Sequence, residues 1–454
     1  MSRIQVKFCS RAIFCTLHPK ELLLMNLVII LALGTVFVTA QAFGEVAKIP
    51  QKVHDVEFES GVRSNPTAIE AVVWSQVIDL VDAPWVRLLF KSVHLESSSY
   101  LRITSHKDGE TQILNRQMLA EWQNSTAYFN GSVVTVELVA ATGTMQNWVT
   151  ITQVIGGDPN PPPEPSGVAR VCVLADGRVA AANAATARLL EANSGGGCTG
   201  FITNCFPAID PVDRCMLSAG HCFVPGARDF QVSAVVQFNV PASLGTCAIQ
   251  HPPVAKQFAV NPATVIALNG GPGNDYAVFR CFRNPNTSKT VFQEQGAQFA
   301  LAAPGIGSAT IYGYGVDGDP PEIPPDLNNC VCTGGDVQAP NNQTQQTHTA
   351  AITGIVGTRV DHDIHTCGGN SGSPIEQTPG SGVAVAIHES GGCVGGLPAN
   401  AGTSVTHPGV IAGLAVVCPI PTLSQWGLIG LMLVLLTIAT WVFIRRRKVV
   451  GVRT

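Results

Sequence analysis

Three separated stretches carry side chains that could perform one reaction together. His221 ends the run Cys215-Met216-Leu217-Ser218-Ala219-Gly220 and is followed by Cys222, and Asp275 opens the apolar strand Tyr276-Ala277-Val278. Ser371 sits within Thr366-Cys367-Gly368-Gly369-Asn370-Ser371-Gly372-Ser373-Pro374. A serine hydroxyl is a poor nucleophile near neutral pH until an adjacent base takes its proton, and imidazole is such a base. A carboxylate behind the ring fixes its tautomer and stabilises the imidazolium formed during transfer. Glycines around the serine let the backbone curl so that two N–H groups point at one spot, where an oxyanion could be held. Each motif alone has a bland reading: a structural histidine beside a cysteine, an acid starting a strand, a Gly/Ser-rich turn. Together, in one order, they predict acyl transfer. Asp229, Asp317 and Asp319 compete for the acid role, but none opens a comparable apolar strand.

These motifs resemble those of the chymotrypsin-like serine proteases, in the family's order of His, Asp and Ser. The resemblance implies a chymotrypsin-like double β-barrel with His221, Asp275 and Ser371 as catalytic triad. It also implies an oxyanion hole from the Gly369 and Ser371 amides, worth about 3 kcal/mol per donor. Cys198-Thr199-Gly200-Phe201-Ile202 is similar to the strand whose cysteine is bridged to the one after the histidine. Cys198–Cys222 is therefore expected, with Cys205–Cys215 closing an inserted loop and Cys367–Cys393 spanning the primary specificity pocket. The pairing of Cys172, Cys247, Cys281, Cys330, Cys332 and Cys418 stays open. Two positions depart from the vertebrate digestive enzymes. Asn370 replaces the acid that captures a new N-terminal amine, and Ser373 replaces a glycine. Asn-Ser-Gly-Ser-Pro is similar to the loop of bacterial glutamyl endopeptidases, in which a threonine and a histidine bind an acidic P1 side chain. Thr366 and His388 stand at those positions, and protonation of the imidazole would strengthen its hold on a carboxylate. Lysyl endopeptidases carry a histidine near the same place, and Asp361 and Asp363 keep a basic P1 open. His365, at the base of the pocket by the family's spacing, disfavours trypsin-like cleavage. The run Asp361-His362-Asp363-Ile364-His365 could be read as a metal cluster, but it leads directly into the nucleophile loop and has no partner motif. No metal or cofactor is expected.

The elements that must position these residues are strands. The chain has 454 residues, 45 Gly, 30 Pro and only 13% charged residues, which suits an all-β, loop-rich protein. Residues 168–418 are expected to form the protease domain. Residues 43–157 contain no cysteine and show short alternating runs (Val134, Val136 and Leu138; Trp85-Val86-Arg87-Leu88; Trp148-Val149-Thr150-Ile151), which predict a small β-sandwich. It could serve as a removable pro-domain, a targeting module or a binding module. Its aromatics Trp74, Trp85, Trp122, Tyr128, Phe129 and Trp148 read as core. Residues 158–167, rich in proline, form a stiff spacer between the two.

The ends read as targeting segments. Residues 1–42 have the form of a signal peptide, with Lys20, an apolar run Leu22–Val38 and the small-x-small site Ala40-Gln41-Ala42. An uncleaved anchor is the alternative. Residues 427–444 are apolar over about one bilayer crossing and precede Arg445-Arg446-Arg447-Lys448. The preceding Ile420-Pro421-Thr422-Leu423 resembles the IPTL-type sorting signal of Gram-negative bacteria, so residues 419–454 imply a transmembrane helix in the inner membrane and a membrane sorting enzyme as partner. With the basic ends set aside, the body is acidic, which argues for an exported ectodomain and against nucleic-acid binding. The expected function is a secreted, envelope-tethered serine endopeptidase acting on proteins or peptides. The rival is a cell-surface binding protein on a protease scaffold whose activity is lost or dispensable.

Overall fold

The computed structural model describes residues 46–159, 177–191, 195–204, 214–223, 234–244, 248–316, 341–391, 400–417 and 429–441. The expected signal peptide, most of the Pro-rich spacer, Cys205, Cys393 and the sorting motif lie outside these residues. Among the described residues the strands form four sheets, two of eight strands, one of five and one of four.

One eight-stranded sheet closes on itself. Gln257–Ala259, Val235–Gln237, Thr186–Leu190, Gly196–Thr203, Cys215–Ser218 and Asp275–Phe279 pair side by side in that order. A bridge between Val260 and Cys281 then joins the last strand to the first, backed by Phe282 N–H donating to Ala259 O at 2.9 Å. Leu189, Ile202, Met216, Val236, Phe258 and Phe279 fill its interior. The other eight-stranded sheet closes likewise. Gln346–Val356, Gly307–Gly313, Pro374–Gln377, Val383–Ser390, Asn400–Ser404 and Arg359–His362 run in sequence, and Gln346–Val356 pairs again with Arg359–His362. Closure removes unpaired edges and gives each barrel its own core. A further apolar cluster, with Phe201, Leu217 and Val278 from the first barrel and Ile387 and Val405 from the second, lies between them. The helix Pro408–Val417 lays Val410, Leu414 and Val417 on this seam.

The N-terminal part is a β-sandwich. Gln51–Glu59, Thr144–Gly157, Trp85–His94 and Phe129–Asn130 make one sheet; Ala71–Asp79, Val133–Ala140, Tyr100–Ser105 and Thr111–Asn115 make the other. Alternation sets the inward faces: Val134, Val136 and Leu138 are buried while the residues between them are half exposed. Trp85, Trp122, Tyr128 and Phe129 are core residues, as expected, whereas Trp148 stacks on His94 at 4.3 Å.

The sandwich shares its core with the first barrel, since Trp85 and Phe129 belong to the same cluster as Leu190, Val235, Ile249 and Val254. The Gln257 side chain bonds both the amide (3.0 Å) and the carbonyl (2.8 Å) of Tyr128. Asn130 and His251 exchange a reciprocal pair at 2.8 and 2.9 Å. The His251 ring stacks on Tyr128 at 4.4 Å and meets Trp85 edge-on. The short strand Ala47–Lys48, ahead of the sandwich, pairs with the first barrel instead, at Gly196 and Gly197.

Residues 429–441 are helical. No helix among the described residues is long and apolar enough to cross a membrane.

Candidate active site

His221 sits in the single turn Gly220–Cys222 that follows the barrel strand Cys215–Ser218. The small residues before it have a physical reason: a Cβ on Gly220 would lie within 2.8 Å of Asp275 Oδ1 and collide with the Leu268 carbonyl. That close approach lets the Asp275 carboxylate grip His221 twice. Oδ1 accepts the backbone N–H of His221 at 2.8 Å, and Oδ2 meets Nδ1 at 2.5 Å. Nδ1 therefore carries the hydrogen, and Nε2 presents its lone pair. Nε2 is buried and makes no hydrogen bond, so the Ser371 hydroxyl is not bonded to it in this resting state. Asp275 is held in turn by the second barrel. Its amide donates to Thr403 Oγ1 at 2.9 Å, and Thr403 donates to Glu389 at 2.6 Å. Glu389 also accepts the Gly273 amide, and burial pushes its carboxyl up to about 8.

The nucleophile loop is clamped between the barrels. Gly369 and Gly372 have φ of +94° and +90°, a region that favours glycine. From the first barrel, Thr199 N–H donates to Ser371 O and Thr199 Oγ1 donates to Gly369 O, each at 2.8 Å. From the second barrel, Gly372 N–H donates to His388 O at 2.7 Å, and His388 N–H donates to Ser373 O at 2.9 Å. The Gly369 amide donates to no acceptor among the described residues. Ser371 lies against the histidine turn, since Cys222 Sγ is 3.8 Å from the Ser371 carbonyl. The Cys198–Cys222 disulfide is present. Cys215 is disulfide-bonded as well, and its expected partner Cys205 is outside the described residues. Cys367 is buried with Arg178 donating to its sulfur at 3.0 Å, and its expected partner Cys393 is likewise outside.

Thr366 and His388 are both buried, and the hydroxyl of Thr366 lies 3.7 Å from the Cβ position of Gly391, just past the strand that carries His388. Burial keeps His388 neutral, its pKa far below the usual imidazole value, and His362 behind it is pushed down to about 3 for the same reason. The Ile364 amide donates to His362 Nδ1 at 3.2 Å, so His362 carries its hydrogen on Nε2 and donates to His388 Nδ1 at 3.2 Å. His388 is thereby left with an Nε2–H donor. His362 is the site residue that sequence reasoning missed. His365 stacks on His348 at 4.0 Å and accepts the Gly177 amide at 2.9 Å. Asp361 is ion-paired with Arg359 at 2.6 Å. Asn370 is buried against Gly313 and Gly315, whose missing side chains make room for its amide. Among the described residues one group has metal-ligand spacing, Cys198, His221 and Cys222, but the disulfide occupies both sulfurs.

No family model matches the chain, and no curated protein matches it either. Among solved structures it is similar to a Glu endopeptidase in complex with MPD, at 18% identity over 53% of this chain and 96% of that one, with a TM-score of 0.37. A thermostable serine protease from an extremophilic microorganism matches at 15% identity over 52% of this chain and 96% of that one, TM-score 0.36. An inactivated protease paralogue of the scabies mite matches at 13% identity over 51% and 91%, TM-score 0.30. Among the described residues the chain carries two closed β-barrels. What the site does is argued from its own geometry.

Proposed function

We propose that the protein is a serine endopeptidase that hydrolyses peptide bonds through an acyl-enzyme on Ser371. The observation that carries this is the double grip of Asp275 on His221, which leaves an Nε2 lone pair unbonded on a turn whose next residue, Cys222, touches the Ser371 carbonyl. His221 takes the Ser371 proton as the hydroxyl attacks the scissile carbonyl, and returns it to the leaving amine. The Gly369 and Ser371 amides receive the developing oxyanion, on a loop that Thr199 holds rigid before substrate arrives. Water then attacks the ester, with His221 as base.

An acidic P1 side chain fits the pocket best. A neutral His388 with its hydrogen on Nε2 donates to a carboxylate without a buried positive charge having to exist beforehand, and the Thr366 hydroxyl supplies a second donor. Asp361, one of the two rival anchors for a basic side chain, is already ion-paired with Arg359. Export, and tethering through residues 419–454, belong to the same proposal and rest on the sequence of the two ends.

The test is labelling of the purified protein with a fluorophosphonate, read by mass spectrometry. A single adduct on Ser371, absent from His221→Ala, is the expected result, and a peptide library then reports P1. Absence of any adduct on folded protein would sink the endopeptidase reading and leave a binding module on a protease scaffold.

A further inference from the structure

The strand Ala47–Lys48 precedes the sandwich, yet it adds to the first barrel beside the active site. It pairs antiparallel with Gly196 and Gly197, and Ile49 N–H donates to the Gly195 carbonyl. Ala47 is buried in a small apolar cluster with Val316 and Cys367, the latter on the nucleophile loop. A Cβ placed on Gly369, whose amide is the proposed oxyanion donor, would lie 3.0 Å from the Ala47 Cβ. Val46 packs on the core cluster that includes the Cys198–Cys222 pair, one residue from His221.

Direction decides what this contact means. Antiparallel pairing of Ala47 with Gly197 carries the chain, as its numbers fall, along the barrel strand towards Thr199. The Thr199 amide is bonded to the Ser371 carbonyl. The bond preceding Val46 is thus the one the strand leads to the nucleophile. The residue before Val46 is Glu45, known here from the sequence alone, and it has the side chain that the His388 pocket is proposed to accept.

We propose that residues 46–49 are an intramolecular ligand on the leaving-group side of this active site, and that the enzyme cuts its own chain between Glu45 and Val46. The inference rests on the endopeptidase reading above. Ser371 Oγ attacks the Glu45 carbonyl carbon, the carbon–nitrogen bond to Val46 breaks, and His221 passes the serine proton to the Val46 nitrogen. Water then releases the Glu45 carboxyl from the ester and restores Ser371. The new N-terminal segment stays paired with Gly195–Gly197, because the sandwich holds its far end. Asp158 N–H donates to Pro50 O at 3.0 Å, and Lys52 is ion-paired with Asp158 at 2.9 Å. Residues following the scissile bond of any other substrate must displace it.

The experiment compares the N-terminal residue of the full-length chain with that of its Ser371→Ala and Glu45→Ala variants, by mass spectrometry of detergent-purified protein. Hydrolysis of a peptide with three residues after a Glu–Val bond is measured alongside. The wild type is expected to begin at Val46 and both variants to extend upstream of it. A wild type that hydrolyses the peptide but keeps residue 45 joined to Val46 overturns the self-cleavage and leaves the endopeptidase standing. A Ser371→Ala chain that also begins at Val46 overturns it too, because another enzyme made the cut. A wild type inert to both peptide and fluorophosphonate overturns the endopeptidase reading, and this one falls with it. Occupancy is tested by Ala47→Arg, expected to lower KM for that peptide about tenfold, the equivalent of one decade in binding. Val46→Ala, which trims the packing on the core cluster that includes the Cys198–Cys222 pair, moves KM the same way by less. Unchanged KM in both variants overturns the ligand role.

Discussion

Thr199 does more for the site than its position in a buried strand suggests. Its hydroxyl donates to the Gly369 carbonyl and accepts the Tyr314 amide at 2.9 Å, so one side chain fixes the glycine whose own amide is the proposed oxyanion donor. Thr199→Val keeps the shape and strands both partners, at about 1–3 kcal/mol each. We expect kcat to fall roughly 10–100-fold with KM little changed, measured on a short peptide substrate. A fall in KM alone would argue against a role in the transition state. His388→Leu removes the donor proposed to meet the P1 side chain. It should lower kcat/KM for a glutamyl peptide about 10–100-fold, the worth of a hydrogen bond to a charged group, while a peptide with leucine at P1 gains. Equal losses on both would remove His388 from specificity. The approach of His221, Asp275 and Ser371 to one another was legible from sequence because each motif is local and the chemistry dictates residue type. His362 was not, because its role depends on register: it sits opposite Asn400 while His388 sits opposite Gly402, on either side of one strand. No local pattern announces that proximity.

Among elements, the sandwich strands could be read in advance because one face is buried and the other is not, which leaves alternation in the sequence. The barrel strands Thr186–Leu190 and Gly196–Thr203 are buried at every position, so alternation there is absent and only the motifs betrayed them. The docking of sandwich on barrel was invisible, since Gln237, Gln257, His251 and Asn130 read as surface residues. Here they form a buried polar seam in which Arg188 donates to Gln237 at 2.7 Å and Gln237 meets His251 at 2.9 Å. Such a seam, with Trp85 and Tyr128 packed beside it, predicts that proteolysis within residues 160–176 leaves both pieces associated. Gel filtration after limited digestion should show co-elution, and separation would revive a removable pro-domain. Gln257→Ala, which leaves both polar groups of Tyr128 without partners, should weaken that association by about 1–3 kcal/mol.

For the molecule as a whole, four buried groups set how stability responds to pH. His251 and His388 are held well below the usual imidazole pKa by burial, and His362 falls to about 3, so the folded chain refuses protons that the unfolded chain takes up below about 6.5. Stability is lost as pH falls from there, by at most about 1.4 kcal/mol per unit for each group. Glu389 acts on the other side. Its raised pKa makes its contribution fully present below the ordinary carboxyl value and lost as pH rises towards 8. Thermal melts should therefore peak near neutrality and fall more steeply towards pH 5 than towards pH 8. Glu389→Gln should flatten the fall above about pH 6.5 and steepen the one below it, and an unchanged alkaline slope would refute the assignment. The strand Ala47–Lys48 has a further consequence at this scale. With it in place, the Gly195–Gly197 backbone is satisfied; without it, a short row of amides and carbonyls stands open to any extended chain. The best-fitting chain in a concentrated solution is the same segment of a neighbouring copy. Molecules that trade leading strands in pairs, and at higher concentration in open-ended series, are the assembly this design invites.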